Sequence, residues 1–238
     1  MSSPFSRTEM LLGAENMNKL KTAHVAVFGL GGVGGHVVEA LARSGVGSFT
    51  LFDCDTVAES NLNRQIIATV NTLGMDKTEA MKNRILNINP DAKVTTHNVF
   101  YLPENADEFP LSIYDYVIDA IDTVSAKLEL AVRCERDGIP IISSMGTGNK
   151  LNPTALKVSD VYKTSGCPLA RVMRRELKSR GVKSLKVVFS DEKPIKPLSA
   201  KQTAEPLQKK QTPGSTSFVP SVAGLILASE VIKDLCGI

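Results

Sequence analysis

Short, continuous apolar runs alternate along the first half of the chain with longer stretches whose apolar residues recur every three or four positions. The short runs are typical of strands buried on both faces, and the longer stretches are typical of amphipathic helices. The predicted strands are 24–28, 48–53, 93–99, 115–119 and 139–143. This alternation predicts an α/β fold in which crossover helices flank a mostly parallel sheet.

Three helices are predicted between these strands, at 33–44, 77–87 and 125–137. The first places Val33, Val37 and Leu41 on one stripe, and glycines at 45 and 47 follow its end. The second ends before Pro90, which cannot continue a helix.

After residue 146 the regular alternation of apolar runs and helical patterns ends, and basic residues and prolines become frequent. A basic amphipathic helix is predicted at 168–180, a short strand at 185–189 and a final helix at 219–235. Residues 191–216 are rich in proline, lysine and glutamine, and they are predicted to form a mobile loop because they lack apolar side chains to pack. We therefore expect one domain over 1–238. Its nucleotide-binding half would span about 20–145, and a C-terminal substrate-binding extension would span about 146–238.

Composition narrows the class of protein. The chain is 42% hydrophobic and 22% charged, as in ordinary globular proteins. Its four cysteines have no C-x-x-C spacing, which argues against a zinc ribbon or a disulfide framework and favours a reducing cytoplasm. The N-terminus lacks the apolar core of a signal peptide. The apolar segment 218–232 is shorter than a membrane span, so it is interpreted as a buried helix.

Charge is unevenly distributed. Residues 163–210 hold 13 Lys and Arg against four acids, whereas the remaining residues hold 15 basic and 21 acidic groups. A solvated helix face followed by a loop would account for this segment. A contact surface for a polyanion such as RNA would account for it equally well.

The pattern G-x-G-x-x-G follows the first predicted strand and opens the first predicted helix, with glycines at 29, 31 and 34. Such glycines let the backbone turn tightly and approach a phosphate, whose charge is met by the helix N-terminus. Asp53 ends the next strand, nineteen residues after Gly34, where a carboxylate can accept hydrogen bonds from ribose hydroxyls. These features predict a Rossmann-like nucleotide site.

The residues that follow favour ATP over a dinucleotide. Arg64 and Lys77 can neutralise the phosphates of a triphosphate and the charge that develops at the α-phosphate during transfer. Asn61 and Gln65 are amides one helical turn apart that suit ribose or phosphate oxygens. Asp122 follows a strand, where a carboxylate can hold Mg²⁺ against phosphates or can cap the next helix.

Together these residues resemble the ubiquitin-activating-enzyme superfamily, which includes adenylyltransferases that charge sulfur-carrier proteins. The resemblance covers about residues 5–143. It is carried by Gly29, Gly31, Gly32 and Gly34, then Asp53 and Asp55, then Asn61-Leu62-Asn63-Arg64-Gln65, Lys77, and Asp119-Ala120-Ile121-Asp122.

The resemblance implies a fold of the adenylating-enzyme type and a role for each matched residue. A substrate carboxylate attacks the α-phosphate of ATP, giving an acyl-adenylate and pyrophosphate. Asp53 would hold the ribose, Arg64 and Lys77 the phosphates, and Asp122 the magnesium ion. Arg7 corresponds to an arginine that reaches the phosphates of a neighbouring subunit, which implies a homodimer. As a solvated tail residue, Arg7 would have no such role.

The C-terminal half separates the branches of this superfamily. The sulfur-carrier enzymes usually hold zinc through two C-x-x-C pairs, and this chain has none. Residues 160–164, 168–170, 188–194 and 213–220 instead resemble the tRNA threonylcarbamoyladenosine dehydratases. That resemblance implies adenylylation of the carboxylate of the modified adenosine, followed by ring closure with loss of AMP. It leaves open a sulfur-relay protein as an accessory partner.

In that reaction the attacking group belongs to the substrate, so no enzyme nucleophile is required. Cys167 is the best thiol candidate, whereas Cys54, Cys134 and Cys236 are interpreted as packing residues. The three histidines are interpreted as structural. Two other functions remain open: an adenylyltransferase for a ubiquitin-like sulfur carrier, and a nicotinamide dehydrogenase or nucleotide-binding regulator, which leaves Arg64 and Lys77 without a purpose.

Overall fold

The computed structural model of the chain describes residues 4–196 and 213–238. The strands are β1 (His24–Phe28), β2 (Ser48–Asp53), β3 (Lys93–Asn98), β4 (Tyr116–Asp119), β5 (Ile141–Ser144), β6 (Leu156–Asp160) and β7 (Lys186–Ser190). The helices of more than one turn are α1 (Ser6–Thr22), α2 (Gly34–Arg43), α3 (Lys77–Ile88), α4 (Val124–Asp137), α5 (Pro168–Ser179) and α6 (Val219–Cys236).

The seven strands form one sheet in the order β3-β2-β1-β4-β5-β7-β6. All neighbouring strands are parallel except β6 and β7, which are antiparallel. The fold class predicted from the sequence, a mostly parallel Rossmann-like sheet with flanking helices, is therefore confirmed. The chain order reverses between β1 and β4, which is where open α/β sheets bind their ligands.

The apolar runs of β1, β2 and β4 are buried on both faces of the sheet, as predicted, whereas β3, at the edge of the sheet, contains no buried residue. Val25 and Val27 of β1 belong to a core shared with α2 and α6. Ala26 and Phe28, which alternate with them, belong to a second core that includes residues of α4. Burial on both faces explains why these strands show no polar alternation in the sequence.

The predicted elements agree with the structure to within about two residues at their ends, and turn chemistry sets those ends. α2 is followed by Gly45, whose φ of 88° is favourable for glycine alone. α3 ends at Ile88, two residues before Pro90. Residues 197–212, the greater part of the predicted loop, lie outside the described residues.

Two elements were not predicted. α1 carries mostly polar side chains and is interrupted at Gly13, whose φ is 81°, so its apolar periodicity is weak. β6 pairs antiparallel with β7 at the edge of the sheet, and its side chains are partly exposed. No element was assigned from the sequence to residues 6–22 or to residues 156–160, because neither stretch carries a clear apolar period.

α6 packs unusually closely on the loop that precedes α2. A β-carbon at Gly224 would lie 2.5 Å from the Val33 carbonyl oxygen, so only glycine fits at this crossing. The apolar segment predicted as a buried helix is α6, with eight buried residues. Among the described residues, no helix combines the length and the apolar character that a membrane span requires.

Candidate functional site

A cavity of about 430 Å³ opens at the carboxyl ends of β1, β2 and β4. This volume lies in the range typical of small-molecule sites. Ten of the twelve residues predicted for the site line it: Gly29, Gly31, Gly32, Asp53, Asp55, Asn61, Arg64, Gln65, Lys77 and Asp122. The fold therefore brings together side chains from positions almost one hundred residues apart.

The glycine-rich loop leaves β1 and enters α2 with no space for side chains at two of its positions. A β-carbon at Gly29 would lie 2.8 Å from the Ala120 carbonyl oxygen, and one at Gly34 would lie 1.8 Å from the Gly29 carbonyl oxygen. Gly34 thus lies beneath the loop rather than on the cavity wall. No side chain caps the N-terminus of α2, where the Gly35 and His36 N–H groups donate to the Gly31 and Val33 carbonyls at 3.1 and 3.0 Å.

Asp53 and Asp55 surround the ammonium group of Lys77. Lys77 Nζ lies 2.6 Å from Asp55 Oδ2 and 3.8 Å from Asp53 Oδ1. Asp53 also accepts hydrogen bonds from the backbone N–H groups of Leu30 and Asp55, at 2.6 and 2.9 Å. The carboxylate predicted to hold ribose is therefore fixed against the glycine loop, and the buried lysine already has an anionic partner.

Arg64 has no acidic partner among the described residues. Its guanidinium donates to the Ser60 carbonyl and to Asn63 Oδ1, both at 2.9 Å. The stem of the side chain passes over Gly32, where an added β-carbon would lie 3.3 Å from Arg64 Cγ. A cation held by neutral groups beside a glycine loop retains its charge for a phosphate.

The two amides of the predicted site differ in their environments. Asn61 Oδ1 accepts a hydrogen bond from the Ala58 N–H group at 3.0 Å, so this oxygen stabilises the local turn. Gln65 is 6% exposed, and its Oε1 atom has no hydrogen-bond partner within the part of the chain that the structure describes. A buried acceptor without a donor is costly, and a ligand hydroxyl or a water molecule would satisfy it.

Asp122 is exposed at the cavity and does not cap α4. The N-cap residue of that helix is Thr123, and no side-chain capping bond is present. Asp122 Oδ1 accepts one long hydrogen bond, from Thr123 Oγ1 at 3.5 Å, and the carboxylate makes no ion pair among the described residues. The peptide before it is fixed from below, where Asp119 Oδ1 accepts the Ile121 N–H at 3.2 Å and Lys127 Nζ donates to the Ile121 carbonyl at 3.1 Å.

Sequence reasoning missed one wall of the cavity, which contains Thr147 and Ser215. The Ser215 carbonyl accepts a hydrogen bond from Asn63 Nδ2 at 3.1 Å, next to Arg64. Asn149 fixes Gly214, the residue before Ser215. Its N–H donates to the Gly214 carbonyl at 2.8 Å, and its Oδ1 accepts the Gly214 N–H at 2.7 Å. Asn149 has a φ of 57°, a conformation in which asparagine is enriched. The sequence offered two signals for this wall, the asparagine in Gly148-Asn149 and the resemblance of residues 213–220 to the dehydratases.

The cysteines differ from expectation at two positions. Cys54 was interpreted as a packing residue, but it is exposed and lines the cavity between the two aspartates. Partial burial, together with Asp55 and Asp53, raises the pKa of its thiol. Cys167, the preferred thiol candidate, is buried among apolar residues at the start of α5 and does not line the cavity. Cys134 and Cys236 are buried, as predicted.

The histidines make the structural contacts predicted for them. His36 bonds through Nδ1 to the Gly32 carbonyl at 2.9 Å, and His24 bonds to Thr50 Oγ1 at the same distance. His97 stacks on Phe52 with ring centroids 4.7 Å apart. Arg7 lies exposed on α1 and does not line the cavity of its own chain.

The fold and this cavity, with a glycine loop, two aspartates and two cations in its lining, are those of a nucleotide-binding α/β protein. The model of the ThiF family matches residues 5–238, and the chain belongs to that family. It is 43% identical to the tRNA threonylcarbamoyladenosine dehydratase of Bacillus subtilis, over 99% of this chain and 95% of that protein.

Two solved structures are similar over nearly the whole chain. The Escherichia coli tRNA N6-threonylcarbamoyladenosine dehydratase in complex with AMP superposes with a TM-score of 0.89 at 36% identity, covering 98% of this chain and 94% of that one. The same enzyme in complex with ATP gives 0.87 at 35% identity, with the same coverage. The molybdopterin-synthase adenylyltransferase of Salmonella typhimurium is 37% identical, but over only 54% of this chain and 51% of that protein.

Proposed function

We propose that this chain uses ATP and Mg²⁺ to dehydrate threonylcarbamoyladenosine, the modified adenosine next to the anticodon of a tRNA, to its cyclic form. The observation that carries the proposal is a single cavity holding a glycine loop, a ribose-type aspartate and two cations. Similarity to a dehydratase bound to ATP and to AMP supports the nucleotide, and nearly complete coverage supports the same reaction.

In the first step a carboxylate oxygen of the modified adenosine attacks the α-phosphorus of ATP. The bond between that phosphorus and the bridging oxygen breaks, and pyrophosphate leaves. Arg64 and Lys77 stabilise the negative charge that builds on the phosphate oxygens, and the glycine loop holds the phosphates at the N-terminus of α2. When ATP enters, Lys77 exchanges part of its contact with Asp55 for the phosphates.

In the second step the ureido oxygen of the same nucleotide attacks the activated carbonyl carbon. The bond from that carbon to the AMP oxygen breaks, and the ureido nitrogen loses a proton, so that the elements of water leave the substrate. The nucleophile is already attached to its electrophile, and proximity supplies much of the rate. The buried position of Cys167 agrees with a reaction that needs no enzyme thiol.

Asp122 would hold Mg²⁺ with the phosphates. The described residues contain no cluster of three or more metal-ligating side chains. This suits Mg²⁺, which retains several waters and is bound through one or two carboxylates plus substrate phosphates. When bound, the ion neutralises phosphate charge.

The proposal includes a homodimer in which Arg7 reaches the phosphates of the neighbouring subunit. Its support is the position of Arg7, which is exposed on α1 outside its own cavity, on a helix that also exposes Met10 and Leu11. A cytoplasmic location and an accessory sulfur-relay protein are further parts of this proposal.

One experiment separates dehydration from sulfur-carrier activation. The protein is incubated with ATP, Mg²⁺ and tRNA that carries the threonylcarbamoyl group, and the mass of the modified nucleoside is measured by mass spectrometry. We expect its mass to fall by one water, with AMP formed in equal amount. An inert tRNA, together with pyrophosphate exchange driven by a ubiquitin-like carrier protein, would establish the alternative.

A further inference from the structure

The cations of residues 163–196 form two groups that differ in their contacts. Arg174 donates to Thr164, while Arg175 and Arg180 both bond to Glu176. Lys186 pairs with Glu230 and Asp234. The side chains of the other six are exposed and make no hydrogen bond or ion pair with any residue that the structure describes: Lys163, Arg171, Lys178, Lys183, Lys193 and Lys196.

Elsewhere in the described chain most cations have an acidic partner. Glu39 binds both Arg43 and Arg84, for example, and Arg133 is paired with Glu129 and Asp107. A concentration of unpaired, exposed cations therefore distinguishes the region around α5 from the rest of the surface. Such a region attracts polyanions by its summed field.

This surface begins at the wall of the nucleotide cavity. A β-carbon at Gly146 would lie 3.9 Å from Leu169 Cβ in the first turn of α5, and Thr147 lines the cavity. α5 turns Ala170, Met173 and Leu177 into the core. Arg171 and Lys178, seven residues or nearly two turns apart, are exposed on one stripe of the helix, about 10 Å from each other along its axis.

We propose that the exposed side of α5, with Arg171 and Lys178 as its principal contacts, binds the phosphate backbone of the RNA beside the nucleotide that enters the cavity. The inference rests on the proposed function and adds to it the surface that holds the substrate. Phosphate contacts of this kind fix the position of a nucleic acid and carry no sequence information directly.

A charge-reversal pair, Arg171→Glu with Lys178→Glu, tests this surface. The control is Lys21→Glu with Lys93→Glu, which changes the net charge equally at two exposed cations of α1 and β3 that have no acidic partner among the described residues. For the α5 pair we expect the KM for tRNA to rise about tenfold or more, and the slope of log affinity against log salt to fall by roughly 1.4–1.8. The calorimetric affinity for ATP with Mg²⁺ should not change.

The proposal that α5 binds RNA is wrong if both pairs of substitutions weaken tRNA binding equally, or if the α5 pair retains the wild-type KM and salt slope. Failure of the proposed function would look different, because the wild-type protein itself would then leave the modified tRNA unchanged in mass.

A second inference comes from a buried charge pair beneath the cavity. Lys127 and Asp119 are both 0% exposed, and Lys127 Nζ lies 2.9 Å from Asp119 Oδ2. That oxygen also accepts Ser143 Oγ at 2.5 Å. Because the pair binds both the N–H and the carbonyl of Ile121, it fixes the peptide directly before Asp122.

We infer that Lys127 is a positioning residue that orients the Asp122 carboxylate for the Mg²⁺ of the proposed reaction. Groups behind a metal ligand set its orientation, and their loss commonly lowers metal affinity by about 10–100-fold. A lysine that served stability alone would not affect the contribution of Mg²⁺ to ATP binding.

Calorimetry tests this role, with ATP titrated in the presence of Mg²⁺ and again with a chelator. For Lys127→Met we expect the gain in affinity due to Mg²⁺ to fall about tenfold, while the affinity of metal-free ATP is retained. Ser143→Ala removes one bond to Asp119 without removing a charge, so it provides a variant expected to fold, with a smaller loss. If Mg²⁺ raises the ATP affinity of either folded variant as much as it raises that of the wild-type protein, the inference is overturned. If Mg²⁺ does not raise the ATP affinity of the wild-type protein, the assignment of Mg²⁺ is contradicted instead.

Discussion

At the scale of single residues, the cavity keeps one cation paired and another without an acidic partner. Lys77 is buried at 5% exposure between Asp53 and Asp55, so its charge is balanced before any nucleotide enters. Arg64 contacts only neutral groups among the described residues. In the proposed reaction, the phosphates of ATP would therefore meet an uncompensated charge at Arg64 and would compete with a carboxylate at Lys77.

Substituting Arg64 or Lys77 by Ala should abolish most AMP formation while leaving the fold intact, and Asp122→Ala should do the same. Removing one stabilising charge from a phosphoryl-transfer site costs on the order of 10²–10³-fold in rate. AMP release is measured in the presence of modified tRNA, with circular dichroism to check folding. Lys82→Ala is the matched control, because Lys82 lies on the same helix as Lys77 and pairs at the surface with Glu79. Unchanged AMP release in all three variants would refute the assignment of these residues.

The histidines predict how stability depends on pH. Burial is the main cause that lowers the pKa of His24, His36 and His97 from 6.5, so the folded protein favours their neutral forms. The unfolded chain then binds more protons near pH 6 than the folded protein does. The stabilisation is present above pH 6.5, and the free energy of unfolding should decrease as the pH falls below it.

Urea unfolding at pH 7.5, 6.5 and 5.5 measures this dependence. His97→Phe should retain the stacking on Phe52 and should flatten the curve, because it removes one titrating group. A free energy of unfolding that stays constant or rises on acidification from pH 7.5 to 5.5 would contradict the burial of these three rings.

At the scale of elements, the contact between α6 and the glycine loop connects packing to the site. The Val33 carbonyl lies at the entrance to α2 and directly below Gly224 of α6. Any side chain at position 224 would displace the backbone of the glycine loop, which is the turn proposed to bind phosphate.

Gly224→Ala should therefore lower the free energy of unfolding by about 1–3 kcal/mol, as overpacking of a close contact does. It should also weaken ATP binding, because the displaced carbonyl belongs to the glycine loop. Leu225→Ala, at a neighbouring half-exposed position on the same helix, serves as the control. Wild-type stability and ATP affinity in Gly224→Ala would show that the two elements are less closely packed.

Elements with strong local patterns could be predicted from the sequence, and elements with weak ones could not. β1 and β2 have the bounds predicted, because continuous apolar runs followed by glycine or aspartate specify both burial and strand ends. α1 has few buried residues, so its helical period was hidden. The antiparallel pairing of β6 depends on tertiary contacts with β7, and no local signal in residues 156–160 indicates it.

The residues of the site, too, could be predicted where a local sequence pattern marks them and not elsewhere. The glycine loop, Asp53 and Asp122 follow strands, and parallel strands bring their carboxyl ends to one edge, so the convergence of these residues was predictable. Thr147 and Ser215 join the cavity through Asn149, which binds Gly214 across 65 positions of sequence. The exposure of Cys54 depends on the course of the chain after β2, which no periodicity records.

At the scale of the whole molecule, the proposed reaction uses separate regions of the protein for ATP and for RNA. The nucleotide cavity lies where the chain order of the sheet reverses, in the part of the chain with an excess of acidic residues. The first turn of α5, the helix that carries the unpaired Arg171 and Lys178, lies next to Gly146, the residue before Thr147 of the cavity wall. RNA binding should therefore weaken steeply with ionic strength, whereas binding of ATP in the cavity, where Lys77 is buried, should depend on salt much less. Fluorescence anisotropy with labelled tRNA, compared with calorimetry of ATP at two salt concentrations, measures both.

An oxygen label shows whether AMP becomes attached to the substrate carboxylate in the proposed reaction. tRNA is prepared with ¹⁸O in the carboxylate of its threonylcarbamoyl group and is incubated with the protein, ATP and Mg²⁺, after which AMP is analysed by mass spectrometry. The account predicts that one labelled oxygen appears in the phosphate of AMP for each cyclic nucleotide formed. Unlabelled AMP alongside the cyclic product would contradict it, because the carboxylate oxygen would then have left without being joined to phosphorus.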